Sequence, residues 1–122
     1  MIIAITGYPK AGKSTAGSII AKRKGFKLIS TDNYIDKFTF AETPIKLIEE
    51  MRGEKDYVIE GVAVSRMLKY GLGDTVWTPD QVFWVFGGEV KNPISKSTFN
   101  AFENWVKNSD KPYNIIWDLG EL

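Results

Sequence analysis

Gly7-Tyr8-Pro9-Lys10-Ala11-Gly12-Lys13-Ser14 is the stretch that decides the reading of this chain. It fits G-x-x-x-x-G-K-[ST], the spacing of a phosphate-binding loop. The apolar run Ile2-Ile3-Ala4-Ile5 precedes it and reads as a buried strand, about Ile2–Thr6. Ser14 to Lys24 follows and reads as a helix starting near Lys13, with Ala16, Ile19 and Ile20 as its core stripe. In a strand–loop–helix setting the loop's N–H groups turn inward and cradle a polyphosphate at a helix N-terminus. The expected nucleotide-binding residues are Gly7, Tyr8, Pro9, Lys10, Ala11, Gly12, Lys13, Ser14 and Thr15. Lys13 is placed against the outer phosphates and the Ser14 hydroxyl on Mg²⁺. Tyr8 and Pro9 shape the loop, and Lys10 points to solvent.

Composition narrows the chemistry. The 122 residues suggest one domain, 1–122. A net charge of +1 makes neither nucleic acid nor an anionic membrane the default partner. Cysteine is absent, which excludes disulfides, thiolate catalysis and Cys-ligated zinc. Histidine is absent too, so acid–base chemistry falls to carboxylates, lysines or tyrosines. A metal site must then be built from oxygen, which favours Mg²⁺. No apolar run approaches a membrane span, and Met1-Ile2-Ile3 leads straight into the first strand, so a cytoplasmic protein is expected.

Strand and helix patterns alternate from end to end. Lys22, Arg23 and Lys24 suit the last turn of the first helix, and Gly25 stops it. Phe26–Ser30 reads as a second strand with a polar exit, Thr31-Asp32-Asn33-Tyr34. Thr43-Pro44 opens a helix in the N-cap then N1 arrangement, with a stripe of Ile45, Ile48 and Met51. Asp56–Gly61 reads as a third strand, Val62–Tyr70 as a short helix and Gln81–Phe86 as a fourth strand. Ser95–Asn108 reads as a helix with Phe99, Phe102 and Val106 on one side and Trp105 near the edge. Tyr113–Trp117 is the fifth strand. Five strands alternating with helices predict an α/β protein with a parallel sheet covered on both faces. The tryptophans and phenylalanines are expected to fill its core, except that Tyr34 and Phe38 are candidate walls of an acceptor pocket.

Ligands of such sheets bind at the carboxyl ends of the strands. Asp32 follows strand two and Glu60 ends strand three, so both are expected at the edge from which the loop leaves strand one. Phosphoryl transfer needs a held Mg²⁺ and a carboxylate that orients or deprotonates the acceptor hydroxyl, tasks these two acids can divide. A carboxylate after the buried run Tyr57-Val58-Ile59 also needs a partner.

Gly7–Ser14, Gly25–Asp32 and Tyr57-Val58-Ile59-Glu60-Gly61 together resemble the P-loop kinase family of nucleoside, nucleotide and related small-molecule kinases. The resemblance covers the first half of the chain by motif and the second by element order. It implies a three-layer α/β/α fold with a five-stranded parallel sheet in the order 2-3-1-4-5. It implies transfer of the γ-phosphoryl of Mg²⁺-ATP to a small acceptor, a nucleoside or nucleotide above others. Asp32 maps onto the acceptor-side carboxylate and Glu60 onto the acid that holds Mg²⁺. The expected catalytic residues are Lys13, Asp32 and Arg66; the expected metal residues are Ser14, Asp32 and Glu60.

The second half departs from the family pattern. Glu89 to Lys96, where a lid usually carries arginine, has none; the arginines are Arg23, Arg52 and Arg66. Arg66 is the candidate for phosphate or acceptor contact, with Lys91 or Lys96 as substitutes lacking the guanidinium fork. Two other functions stay open. One is a nucleotide-binding regulatory module with little catalysis. The other, less favoured, is a kinase of nucleic-acid hydroxyls, since Lys22, Arg23, Lys24 and Lys27 belong to the wrong end of the first helix. A neighbouring subunit could also complete the site with an Arg or Lys in a homo-oligomer. The absence of N-K-x-D and of D-x-x-G after strand three argues against a GTPase.

Overall fold

The backbone alternates strand and helix as the apolar periodicity predicts. A computed structural model describes residues 1–35, 42–71, 77–88 and 93–122. The order is β1 (Ile2–Gly7), α1 (Lys13–Lys24), β2 (Lys27–Ser30), α2 (Asp32–Ile35), α3 (Thr43–Glu50), β3 (Tyr57–Glu60), α4 (Ala63–Gly71), β4 (Gln81–Val85), α5 (Pro93–Asn108) and β5 (Tyr113–Ile116). A short 3₁₀ turn, Leu119–Glu121, follows.

The strands form one parallel sheet in the order β2-β3-β1-β4-β5. This is the order the family resemblance implies. β1 lies in the middle, and its Ile3, Ala4 and Ile5 are wholly buried, which is why its sequence is apolar without alternation. The register sets Ile5 of β1 and Ser30 of β2 on either side of Glu60 in β3. The ends of three strands therefore deliver their exit residues to one place.

The sheet divides two apolar clusters. On one face Ala4, Ile59, Val82 and Trp84 meet Leu47 and Ile48 of α3, Val64 and Met67 of α4, and Phe102 and Trp105 of α5. On the other Ile3, Ile5, Val58, Val85 and Ile116 meet Ala16, Ile20 and Ala21 of α1. The result is three layers, α/β/α. Buried Tyr57 accepts a 2.9 Å hydrogen bond from the Trp77 indole, which ties the approach to β4 onto β3. α1 stops at Gly25 in the left-handed region (φ 71°), and Lys22, Arg23 and Lys24 fill its last turn beside the negative end of the helix dipole.

Several side chains sit otherwise than their sequence pattern predicts. Glu42 occupies the cap position of α3, so Thr43 and Pro44 both sit in its first turn, where a missing N–H costs nothing. The buried stripe of α3 is Pro44, Leu47, Ile48 and Met51, an i, i+3, i+4, i+7 set, and Ile45 turns outward. Trp105 is buried rather than at the edge of α5, because the helix presents Thr98, Phe102 and Trp105 to the core. Phe86 and Trp117 lie just past the ends of β4 and β5, are 56% and 60% exposed, and pack on each other instead of filling the core.

Candidate active site

The loop Gly7–Ser14 joins β1 to α1 through backbone that few residue types tolerate. Lys10 has φ 64° and Gly12 has φ 100°. Ala11 N–H donates to the Tyr8 carbonyl at 3.2 Å and closes a turn within the loop. Two further elements press on it. A Cβ on Gly88, just beyond β4, would lie 2.4 Å from the Pro9 carbonyl oxygen. A Cβ on Gly12 would lie 2.9 Å from a methyl of Leu119 in the 3₁₀ turn. The loop is thus braced by the Gly88 backbone past β4 and by the Leu119 side chain past β5, which no motif announces.

The first turn of α1 carries no acidic residue, and no side chain caps its N-terminus. Its leading N–H groups are left for an anion, in line with the positive end of the helix dipole. Lys13 is 8% exposed, and its Nζ donates to the Tyr8 carbonyl at 2.8 Å. Burial pulls the Lys13 ammonium below the ordinary lysine range, and the nearby carboxylates of Glu60 and Asp32 oppose that shift. Ser14 and Thr15 are exposed beside it.

Glu60 ends β3 at 2% exposure. Burial pushes its carboxyl above the ordinary glutamate range. A hydrogen bond with the Ser30 side chain and the charge of Lys13 work the other way, and Asp32 adds to the rise. Gly17 makes this placement possible, since a Cβ there would lie 3.0 Å from Cγ of Glu60. A side chain at position 17 would crowd Glu60 and Leu28, so glycine suits the close approach of α1 to β3. Asp32 is exposed and is the first residue of α2.

Between them, Thr31 and Gly61 lock the two strand ends together. Thr31 N–H donates to the Glu60 carbonyl at 2.9 Å. Gly61 has φ 137°, and a Cβ there would collide with the Thr31 hydroxyl oxygen at 1.7 Å. That hydroxyl is buried and has no hydrogen-bond partner among the described residues.

Lys10, Gly12, Lys13, Ser14, Asp32 and Glu60 line one cavity of about 300 Å³. The structure therefore brings together both acids, the loop lysine and the loop serine. It places Arg66 elsewhere. That residue lines a separate cavity of about 210 Å³ between α4 and α5, together with Lys69, Tyr70, Ser97 and Thr98. The buried hydroxyls of Thr6 and Ser65 hydrogen-bond to each other and fix α4 to the end of β1. Lys96 is exposed on α5, while Lys91 and Phe38 lie outside the described residues. Tyr34 packs against the larger core cluster. Lys22, Arg23 and Lys24 close the far end of α1, about 17 Å from its start at the 12-residue length of that helix, so they do not flank the cavity.

The donor set is all oxygen, and among the described residues no group of three or more Asp or Glu gathers. This fits Mg²⁺, which is held by one or two protein oxygens with substrate phosphates and water completing its shell. Among the described residues no helix is long and apolar enough to cross a membrane.

No family model matches the sequence, and no curated protein matches it by sequence. Solved structures do match by shape. A shikimate kinase from Acinetobacter baumannii, solved with shikimate, superposes with a TM-score of 0.61 at 15% identity, over 96% of this chain and 83% of that one. A deoxyadenosine kinase from M. mycoides, solved with the products dCMP and dCDP, gives 0.57 at 14% identity, over 99% and 93%. A shikimate kinase from Aquifex aeolicus gives 0.56 at 15% identity, over 99% and 90%. Such identities speak for architecture, and together with the sheet order they establish that this chain has the fold of the P-loop kinases.

Proposed function

We propose that this protein transfers the γ-phosphoryl group of Mg²⁺-ATP to a hydroxyl or phosphate of a small acceptor, nucleoside or nucleotide above others. The observation that carries the reading is the single cavity shared by Lys13, Ser14, Asp32 and Glu60. The loop amides and the α1 N-terminus bind the phosphates. Lys13 exchanges the Tyr8 carbonyl for a phosphate oxygen and keeps its three-donor ammonium against the β,γ-bridge. Ser14 and Glu60 would hold Mg²⁺, which when bound neutralises charge on the β- and γ-phosphates. Asp32 orients the acceptor hydroxyl and takes its proton as the new O–P bond forms and the β–γ bond breaks, leaving ADP. Arg66 faces its own cavity between α4 and α5, apart from the loop.

The architecture shared with shikimate and deoxyadenosine kinases supports a small acceptor. The test is transfer of label from γ-labelled ATP to a panel containing deoxyadenosine, thymidine, dCMP and shikimate. Labelled product that disappears in Lys13→Ala supports the proposal. Tight nucleotide binding without transfer to any acceptor would leave the regulatory module as the better reading.

A further inference from the structure

Beside the loop lies an aromatic recess that the phosphotransfer site does not use. It measures about 370 Å³ and is lined by Tyr8, Trp84, Phe86, Gly87, Gly88 and Phe99. Trp84 meets Tyr8 edge-on with ring centres 5.0 Å apart, and meets Phe99 in the same way at 4.9 Å. Phe86 is 56% exposed and extends the apolar surface to Trp117, whose ring lies 4.8 Å away. Among the described residues no charged side chain lines this recess. A space of this size with aromatic walls suits a flat ring, which can meet each wall in the stacked or edge-on geometry that aromatic quadrupoles favour.

Its position assigns it to a substrate of the loop. Tyr8 belongs to both places: its carbonyl holds the Lys13 ammonium and its ring walls the recess. Residues of the recess and the short helix that Asp32 opens lie on one face of the sheet. Tyr8, Phe99 and Tyr34 all pack on the cluster shared by α3, α4 and α5, and Tyr34 sits on the short helix that Asp32 opens. α1, whose N-terminus would take the donor phosphates, packs on the opposite face. Gly87 and Gly88 keep the β4 exit free of side chains at the mouth of the loop, and nothing lies within 4 Å of a Cβ position at Gly87.

We propose that this recess seats the planar aromatic ring of the phosphoryl acceptor, the base of a nucleoside or nucleotide, beside the γ-phosphate. The assignment rests on the phosphotransfer reading above and narrows its acceptor to an aromatic one. It adds residues of the loop, β4 and α5 as walls of the acceptor pocket.

The experiment measures binding of deoxyadenosine, thymidine and shikimate, and separately of a Mg²⁺-bound non-hydrolysable ATP analogue, by calorimetry. It compares wild type, Phe86→Ala and Phe99→Leu. Phe86 is exposed, so its variant tests the recess even if loss of the Phe99 ring disturbs folding. The expected result is that a nucleoside binds and shikimate does not. Each variant then weakens nucleoside binding about three- to tenfold, the size of one lost ring contact, and leaves the analogue's affinity within about twofold. Three results overturn the assignment: neither nucleoside binds, both variants bind the nucleoside as wild type does, or the variants weaken the ATP analogue by the same factor, which would give the recess to the donor base. Failure of the underlying reading is separately visible, because then Lys13→Ala leaves the ATP analogue's affinity unchanged.

Discussion

The ammonium of Lys13 spans the loop that carries it and donates to the carbonyl of Tyr8, 2.8 Å away. The same carbonyl accepts from Ala11 N–H, so it keeps a partner when the lysine moves. Burial makes the charge costly, the two carboxylates of the cavity offset part of that cost, and the contact is one a phosphate can replace. The loop is thus assembled around its own cation before any substrate chemistry is invoked.

Replacing Lys13 by Met keeps most of the buried stem and removes the charge. Charge-assisted hydrogen bonds are worth about 1.5–3 kcal/mol, so affinity for Mg²⁺-ATP is expected to fall roughly 10- to 150-fold. Thermal stability should hold or rise, because a buried ammonium is gone and the Tyr8 carbonyl retains Ala11. Calorimetry and a melting curve on the same protein give both numbers. Unchanged affinity would remove the loop from nucleotide binding.

Acid should separate stability from binding through Glu60. Its folded carboxyl titrates above the ordinary glutamate range, chiefly because of burial, so the folded chain holds a proton that the unfolded chain has released. In the window between those two values, stability therefore falls as pH rises and recovers on acidification. Mg²⁺ needs the ionised oxygen, so affinity for the metal–nucleotide complex moves the other way. Relative to Glu60→Gln, wild type should gain stability and lose Mg²⁺-ATP affinity as pH is lowered through that window. Denaturant melts and binding titrations at several pH values read the two trends; parallel curves for the two proteins would mean that Glu60 does not titrate there.

The loop and both acids were legible because each belongs to a local pattern, and because parallel strands send all their exits to one edge. The strand order came with the family resemblance, since spacing alone does not set it. Gly88 and Leu119 were not legible as braces: each meets the loop through a tertiary approach over a long stretch of chain. The orientation of α3 is not set by its sequence alone, because Ile45 and Leu47 are equally apolar and only the width of the buried stripe decides between them. Residue type places Trp117 in the core, yet it follows the last residue of the edge strand β5, where only one side of the sheet offers a neighbour. Arg66 reads as a phosphate contact by proximity to Glu60 in sequence, while the helical turn of α4 directs it toward α5.

The junction of Thr31 and Gly61 predicts two opposite stability changes. Gly61→Ala forces a side chain into φ 137° and onto the Thr31 hydroxyl, and should cost about 2–4 kcal/mol. Thr31→Val exchanges a buried hydroxyl without a partner among the described residues for a methyl of similar size, and should add about 1 kcal/mol. Urea unfolding of both variants checks the pair. A Gly61→Ala protein as stable as wild type would contradict the close approach of the two strand exits.

Asp32 distinguishes chemistry from capping most cleanly, because it is exposed and opens a helix of only four residues. As the first acid of α2 it has a structural role available, worth at most about 0.3–1 kcal/mol through the helix dipole. Asparagine serves a helix start about as well as aspartate, so Asp32→Asn should melt within a few degrees of wild type. In the proposed role of orienting and deprotonating the acceptor, Asp32 would contribute on the order of 10²–10⁴ to rate, and asparagine cannot take the proton. The variant is therefore expected to bind Mg²⁺-ATP within about twofold of wild type and to lose most of its kcat. A lowered Tm with kcat intact would reduce Asp32 to a helix start, and the acceptor's proton would have to leave through the other carboxylate of the cavity, Glu60.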